Sequence, residues 1–137
     1  MFQKTKRDNV CVLKNCFPNC SYLGLHLIAE FWYGKKIESK KELKRILICA
    51  AKKAQSTPLK VSIHKFKPQG ITGVILVSES HIALHSWPEY NYLAVDIFTC
   101  GKKSMPYKAL EYLKEEFKPK KLQVREIKRG ILGEESF

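Results

Sequence analysis

The sequence predicts an α+β fold: a two-layer sandwich in which a mainly antiparallel sheet carries two helices on one face. Three observations predict it. Apolar residues recur with the short period of strands in six segments. Two longer segments carry an apolar stripe at helical spacing. The segments follow one another as β-α-β-β-β-β-α-β, and the turns between the central strands are too short for parallel crossovers.

The first strand is expected from Tyr22 to Trp32. Leu23, Leu25, Leu27, Ala29 and Phe31 fall on one face, and Tyr22, Gly24, His26, Ile28 and Glu30 on the other. Ser39 and Glu42 then form a capping box, because their side chains can satisfy two orphan amides at a helix start. That helix runs to about Ala54, with Leu43, Ile46, Leu47, Ala50 and Ala54 inward and Cys49 beside them. Ser56-Thr57-Pro58 breaks it, and Leu59 to Phe66 alternates as a second strand. Lys67 to Gly70 makes a turn. Ile71 to Val77 is apolar and β-branched, so a strand buried on both faces is expected. Ser78 to His81 reads as a polar break, followed by strands Ile82 to Trp87 and Tyr92 to Phe98. Pro106 suits the first turn of a second helix reaching Phe117, and Leu122 to Ile127 reads as the last strand.

The bulk properties agree with one domain over residues 21–137. The 137 residues are 45% hydrophobic and 28% charged. Residues 1–20 are polar and lysine-rich and read as an extension before it. No apolar run approaches the ~18–20 residues that cross a bilayer, so a cytoplasmic protein with no membrane partner is expected. The net charge is +12, but lysine and arginine are spread along the whole chain. A solvated basic surface is therefore expected rather than a nucleic-acid face. Five cysteines, with no CxxC pair, fit reduced thiols better than a disulfide scaffold. Cys11, Cys16 and Cys20 lack the second half of a zinc site, so no metal is expected.

The chemistry concentrates between Gly70 and Gly101. This stretch holds His81, His85, Trp87, Glu79, Glu89, Asp96 and Cys100. A hydrolase triad of Ser80, His85 and Asp96 lacks a nucleophile elbow, and a Cys100–His85 pair lacks any supporting signature. Another chemistry uses the same residues. The Ser80 hydroxyl can attack the carbonyl of Glu79 where the backbone is strained. β-Elimination from the resulting ester needs a base, for which His85 is a candidate. The new terminus becomes dehydroalanine and then a pyruvoyl group. Its carbonyl can take up a substrate amine and accept electrons as carbon dioxide leaves, the task pyridoxal phosphate performs elsewhere. A thiol such as Cys100 can then protonate the product.

Periodicity does not single out that scheme, but a family resemblance does. Gly70-Ile71-Thr72-Gly73, the run Glu79-Ser80-His81-Ile82-Ala83-Leu84-His85-Ser86-Trp87-Pro88-Glu89, and Asp96-Ile97-Phe98-Thr99-Cys100-Gly101 resemble the signature of bacterial and archaeal S-adenosylmethionine decarboxylases. Gly24 to Glu30 and His64-Lys65-Phe66 match as well, so the resemblance covers roughly Leu23 to Gly130. It implies self-cleavage between Glu79 and Ser80 into a β chain, 1–79, and an α chain, 80–137. It implies that Ser80 becomes the pyruvoyl group, without pyridoxal phosphate or metal. Thr72 and His85 would assist processing, and Cys100 would donate the proton. Phe66 would stack on adenine, Trp87 would shape the pocket, and Glu89 would bind the ribose hydroxyls. The implied activity releases the aminopropyl donor of spermidine synthesis, from a homodimer with its sheets face to face. Relatives that decarboxylate arginine or ornithine with the same machinery are the main alternative. A regulatory, uncleaved paralogue is another. The sequence departs from the family in its longer N-terminal extension, in Ser86 where threonine is commoner, in its abundant lysine, and in Gln55 to Leu59, which lacks the usual glycine.

Overall fold

The computed structural model describes residues 21–101 and 103–132. The expectations for residues 1–20, including the extension and Cys11, Cys16 and Cys20, lie outside these residues. The chain runs β1 (Ser21–Trp32), α1 (Lys40–Lys53), β2 (Thr57–Lys65), β3 (Ile71–Ser78), β4 (Ser80–Trp87), a 3-10 turn (Pro88–Tyr90), β5 (Tyr92–Cys100), α2 (Pro106–Phe117) and β6 (Lys121–Leu132). The strands form one antiparallel six-stranded sheet in the order β2-β3-β4-β5-β1-β6. The α+β sandwich read from the sequence is the fold observed.

Both helices lie on one face of the sheet, and the core fills the space between. Leu27, Ala29 and Phe31 of β1 meet Ile75, Ile82, Leu84, Val95 and Ile97 from the neighbouring strands. Leu43, Ile46, Leu47 and Ala50 of α1 and Leu110, Leu113 and Phe117 of α2 close the layer. The capping box forms at its first half: the Glu42 amide donates to Ser39 Oγ at 3.2 Å. Lys52 and Lys53 occupy the last turn of α1, where the helix dipole favours cations. Gly73 sets how closely α1 sits, since a Cβ there would lie 2.8 Å from Leu43 Cδ2.

The elements differ from the sequence reading in several respects. β2 begins at Thr57 and includes Pro58, which an edge strand tolerates because its N–H side need not pair. β3 is not buried on both faces: Ile71, Gly73, Ile75 and Val77 face the helices, while Leu76 is 48% exposed. β4 begins at Ser80, because pairing with β3 and β5 absorbs the polar residues read as a break. β6 runs five residues beyond Ile127, to Leu132, alongside the long β1.

The second face of the sheet has no helix on it among the described residues. It presents His26, Ile28 and Glu30 from β1, Thr72 and Val74 from β3, His81 and His85 from β4, and Asp96, Phe98 and Cys100 from β5. These side chains are half-buried in the single chain.

Candidate active site

The β3–β4 hairpin is the tightest feature near the chemistry. Val77 pairs with Ser80, so only Ser78 and Glu79 lie between them. Ser80 carries φ = 96°, a left-handed conformation that a serine Cβ disfavours and glycine usually occupies. A non-glycine residue held there costs on the order of 1–3 kcal/mol. Ser80 also pairs with Thr99 across β5, so Cys100 stands one residue beyond its cross-strand partner.

A cleft of about 670 Å³ opens at this end of the sheet, with Glu79, Thr99, Cys100, Ser104 and Gly24 among its walls. Gly24 pairs with Cys100 on one side and with Arg129 on the other. A Cβ at Gly24 would lie 2.6 Å from the Phe98 ring and 2.9 Å from Cys100 Sγ, so the thiol occupies space that only glycine leaves. The Arg129 guanidinium lies 4.9 Å from the centre of the Phe98 ring, within cation–π range. Burial pushes the Cys100 thiol up, the Glu79 carboxylate adds to this, and Arg129 opposes both. On balance these surroundings favour the protonated thiol.

A second group sits farther along the same strand. Thr72 and His85 face each other across β3 and β4, with Thr72 Oγ1 3.3 Å from His85 Nδ1. Beyond them Trp87 stacks on Tyr92 at 5.5 Å, and Tyr92 stacks on Trp32 at 4.4 Å. His85 lies five positions along extended β4 from Ser80, a span of about 16 Å. Between the two groups His26 Nε2 pairs with Asp96 at 3.0 Å, and that bond holds the Asp96 carboxyl below its usual range. Burial pushes His81 down, with His26 and Arg129 acting the same way and Asp96 against them. Among the described residues no cluster of three or more His, Cys, Asp or Glu side chains could hold a metal ion.

Comparison with known proteins decides the family. The family model described as S-adenosylmethionine decarboxylase matches residues 25–130. The chain is 44% identical over 111 residues to the S-adenosylmethionine decarboxylase proenzyme of Clostridium kluyveri, covering 80% of this chain and 88% of that one. It is 44% identical over 115 residues to the proenzyme of Acetivibrio thermocellus, covering 82% and 92%. The chain belongs to the S-adenosylmethionine decarboxylase family. The crystal structure of the adenosylmethionine decarboxylase from Aquifex aeolicus superimposes with a TM-score of 0.76 at 36% identity, covering 85% of this chain and 98% of that one.

In this family member the residues singled out from the sequence fall into separate places. Glu79 and Cys100 line the cleft, and Ser80 pairs with Thr99 of its wall. Thr72 and His85 come together on the open face, five positions along β4 from Ser80 of their own chain. Trp87, 41% exposed, continues that second group through its stack on Tyr92. Phe66, 48% exposed, stands just past the end of β2, its ring 4.6 Å from that of His64 and its amide bonded to the Gly70 carbonyl. Glu89 is exposed in the 3-10 turn. Sequence reasoning assigned no role to Gly24, Thr99 or Arg129. Thr99 and Gly24 lie inside the matching motifs, but only the strand register reveals that they flank Ser80 and Cys100.

Proposed function

We propose that the chain cuts itself between Glu79 and Ser80 and then decarboxylates S-adenosylmethionine with the pyruvoyl group formed at Ser80. One observation carries this reading: Ser80 is held left-handed at a two-residue turn, with Cys100 beside its cross-strand partner in an open cleft. Strain at Ser80 is relieved when the peptide bond on its amino side breaks, so it favours attack by the Ser80 hydroxyl on the Glu79 carbonyl. A pyruvoyl group at position 80 supplies an electrophilic carbonyl that takes up the substrate amine and stores the electron pair released with carbon dioxide. The cleft beside the hairpin leaves room for such a group. Cys100, kept as a thiol by burial and by Glu79, holds the proton that the product carbon needs.

The roughly 16 Å between Ser80 and His85 within one chain supports a second step in the reading. Two copies pack their open sheet faces together, and Thr72 and His85 of one serve the Ser80 hairpin of the other. Half-buried Ile28, Val74 and Phe98, with Leu76 48% exposed, give that face the apolar content an interface requires. The same packing brings Phe66, Trp87 and Glu89 of one copy toward the cleft of the other. Phe66 there stacks on the adenine, and the Glu89 carboxylate accepts bonds from the ribose hydroxyls.

The denatured mass of the purified protein tests this directly. Two fragments meeting at Glu79/Ser80, the second blocked to Edman degradation, together with carbon dioxide release from S-adenosylmethionine, are expected. An intact chain after prolonged incubation would overturn the cleavage. Release from arginine instead would overturn the substrate.

A further inference from the structure

Three buried side-chain polar atoms among the described residues have no hydrogen-bond partner: Trp32 Nε1, Thr99 Oγ1 and Ser104 Oγ. Two of these, the Thr99 and Ser104 hydroxyls, belong to the walls of one cleft, beside Glu79 and Cys100. Thr99 is 2% exposed, so its hydroxyl is shielded from bulk solvent. Leaving such a group unmatched costs roughly 1–3 kcal/mol. Valine has the same shape, suits a strand better, and carries no such cost. Threonine here is therefore a debit for the uncleaved fold, and it stands directly across the ladder from Ser80.

We propose that the Thr99 hydroxyl is a catalytic residue of self-cleavage, donating a hydrogen bond to the oxygen of the Glu79 carbonyl as the Ser80 hydroxyl adds to it. The inference rests on the cleavage reading above and assigns that site a group it lacked. In the step, Ser80 Oγ bonds to the Glu79 carbonyl carbon and its proton passes to the imidazole of His85 of the second copy. The carbonyl π pair moves onto oxygen, giving the anion that Thr99 meets. Collapse restores the carbonyl and breaks the bond to the Ser80 nitrogen, which takes the proton back as an amine. An ester joins the two residues, and no outside reagent is consumed. A directly paired residue on an antiparallel ladder has its Cβ ~5 Å from its partner's, so a hydroxyl at position 99 is within reach of the reacting atoms. A neutral donor that is idle in the ground state and bonded in the transition state contributes wholly to rate.

The test is Thr99→Val beside Thr99→Ser in the full chain, with cleavage followed by denaturing gel and mass. Stability is read by urea unfolding on a Ser80→Ala background, which keeps every chain intact. Thr99→Val is expected to slow cleavage about a hundredfold while its unfolding midpoint stays equal to or above the parent's. Thr99→Ser is expected to cleave within about fivefold of the parent, since it keeps the donor. Cleavage of Thr99→Val at the parental rate would overturn the proposal, and so would a lowered midpoint, which would mean the hydroxyl has a structural partner. Failure of the parent chain itself to cleave would instead strike the reading on which the proposal rests.

Discussion

Gly24→Ala probes how the sheet positions the Cys100 thiol. The new Cβ would lie 2.6 Å from Phe98 Cε2 and 2.9 Å from Cys100 Sγ. Carbon atoms settle at ~3.5–4.0 Å, so the ring must retreat by about 1 Å. The Phe98 ring is hemmed in by His26 at 5.3 Å, His81 at 5.8 Å and the Arg129 guanidinium. Cys100, at the end of β5 and half-buried, is the freer neighbour, and rotation about its Cα–Cβ bond relieves its own contact by moving the thiol. Overpacking costs about 1–3 kcal/mol, and the stiffer unfolded chain returns ~0.4–1, leaving a net loss of roughly 1–2 kcal/mol. The thermal midpoint should therefore fall by roughly 3–8 °C. A misplaced proton donor costs far more in rate: kcat for carbon dioxide release should drop about 10- to 100-fold, with the Glu79/Ser80 fragments still produced. Steady-state assays on the processed protein, with calorimetry alongside, decide the matter. If kcat stays within about twofold of the parent, the vacancy at Gly24 does not fix the thiol, and the reasoning fails.

Gly73→Ala is the companion on the other face: its Cβ would press on Leu43 and Leu47, both fully buried, so a comparable stability loss of about 1–2 kcal/mol by urea unfolding is expected with kcat unchanged. Trans-complementation checks the division of labour between copies. Chains carrying His85→Ala should stay uncut alone but be cut when co-folded with Ser80→Ala chains, and the absence of rescue on a denaturing gel would contradict it. The His26–Asp96 bond depresses the Asp96 carboxyl in the folded state, so its contribution is present above the ordinary carboxylate range and is lost as pH falls through the folded value. Urea midpoints measured below about pH 4 should therefore fall less steeply for Asp96→Asn than for the parent; parallel slopes would count against the assignment.

Much of the fold was legible because local signals and tertiary demands coincide. The Ser39–Glu42 box and the stripe of Leu43, Ile46, Leu47 and Ala50 fixed α1, and alternation fixed the inward face of β1 from Leu27 to Phe31, whereas Leu23 on the same alternation is 61% exposed. β3 misled because Val74 and Leu76 are as apolar as Ile75 and Val77, and period alone does not tell a helix-covered face from an uncovered one. Ser80 and His81 misled in the other direction: their polarity reads as a loop, yet ladder bonds to both neighbours hold them in a strand. The motif named Ser80, His85 and Cys100, but not their spacing. That Ser80 meets Thr99 while His85 meets Thr72 follows only from register. Arg129 reaches Phe98 from a strand 31 positions away in sequence, through a gap no composition reveals.

The strand order has a consequence for a chain cut at Glu79–Ser80. The first fragment brings β1, β2 and β3, the second β4, β5 and β6, and in the sheet they alternate: β1 is threaded between β5 and β6. The two pieces are interleaved rather than docked, sharing ladders at β3–β4, β1–β5 and β1–β6. Cutting therefore leaves the folded object nearly unchanged but alters its way back. Before the cut, refolding is a first-order search within one chain. Afterwards two separate polypeptides must find each other and weave, so recovery from denaturant becomes second order and falls with dilution. A chain that cuts itself there would assemble easily only once, before the cut, and its maturation would be a kinetic ratchet.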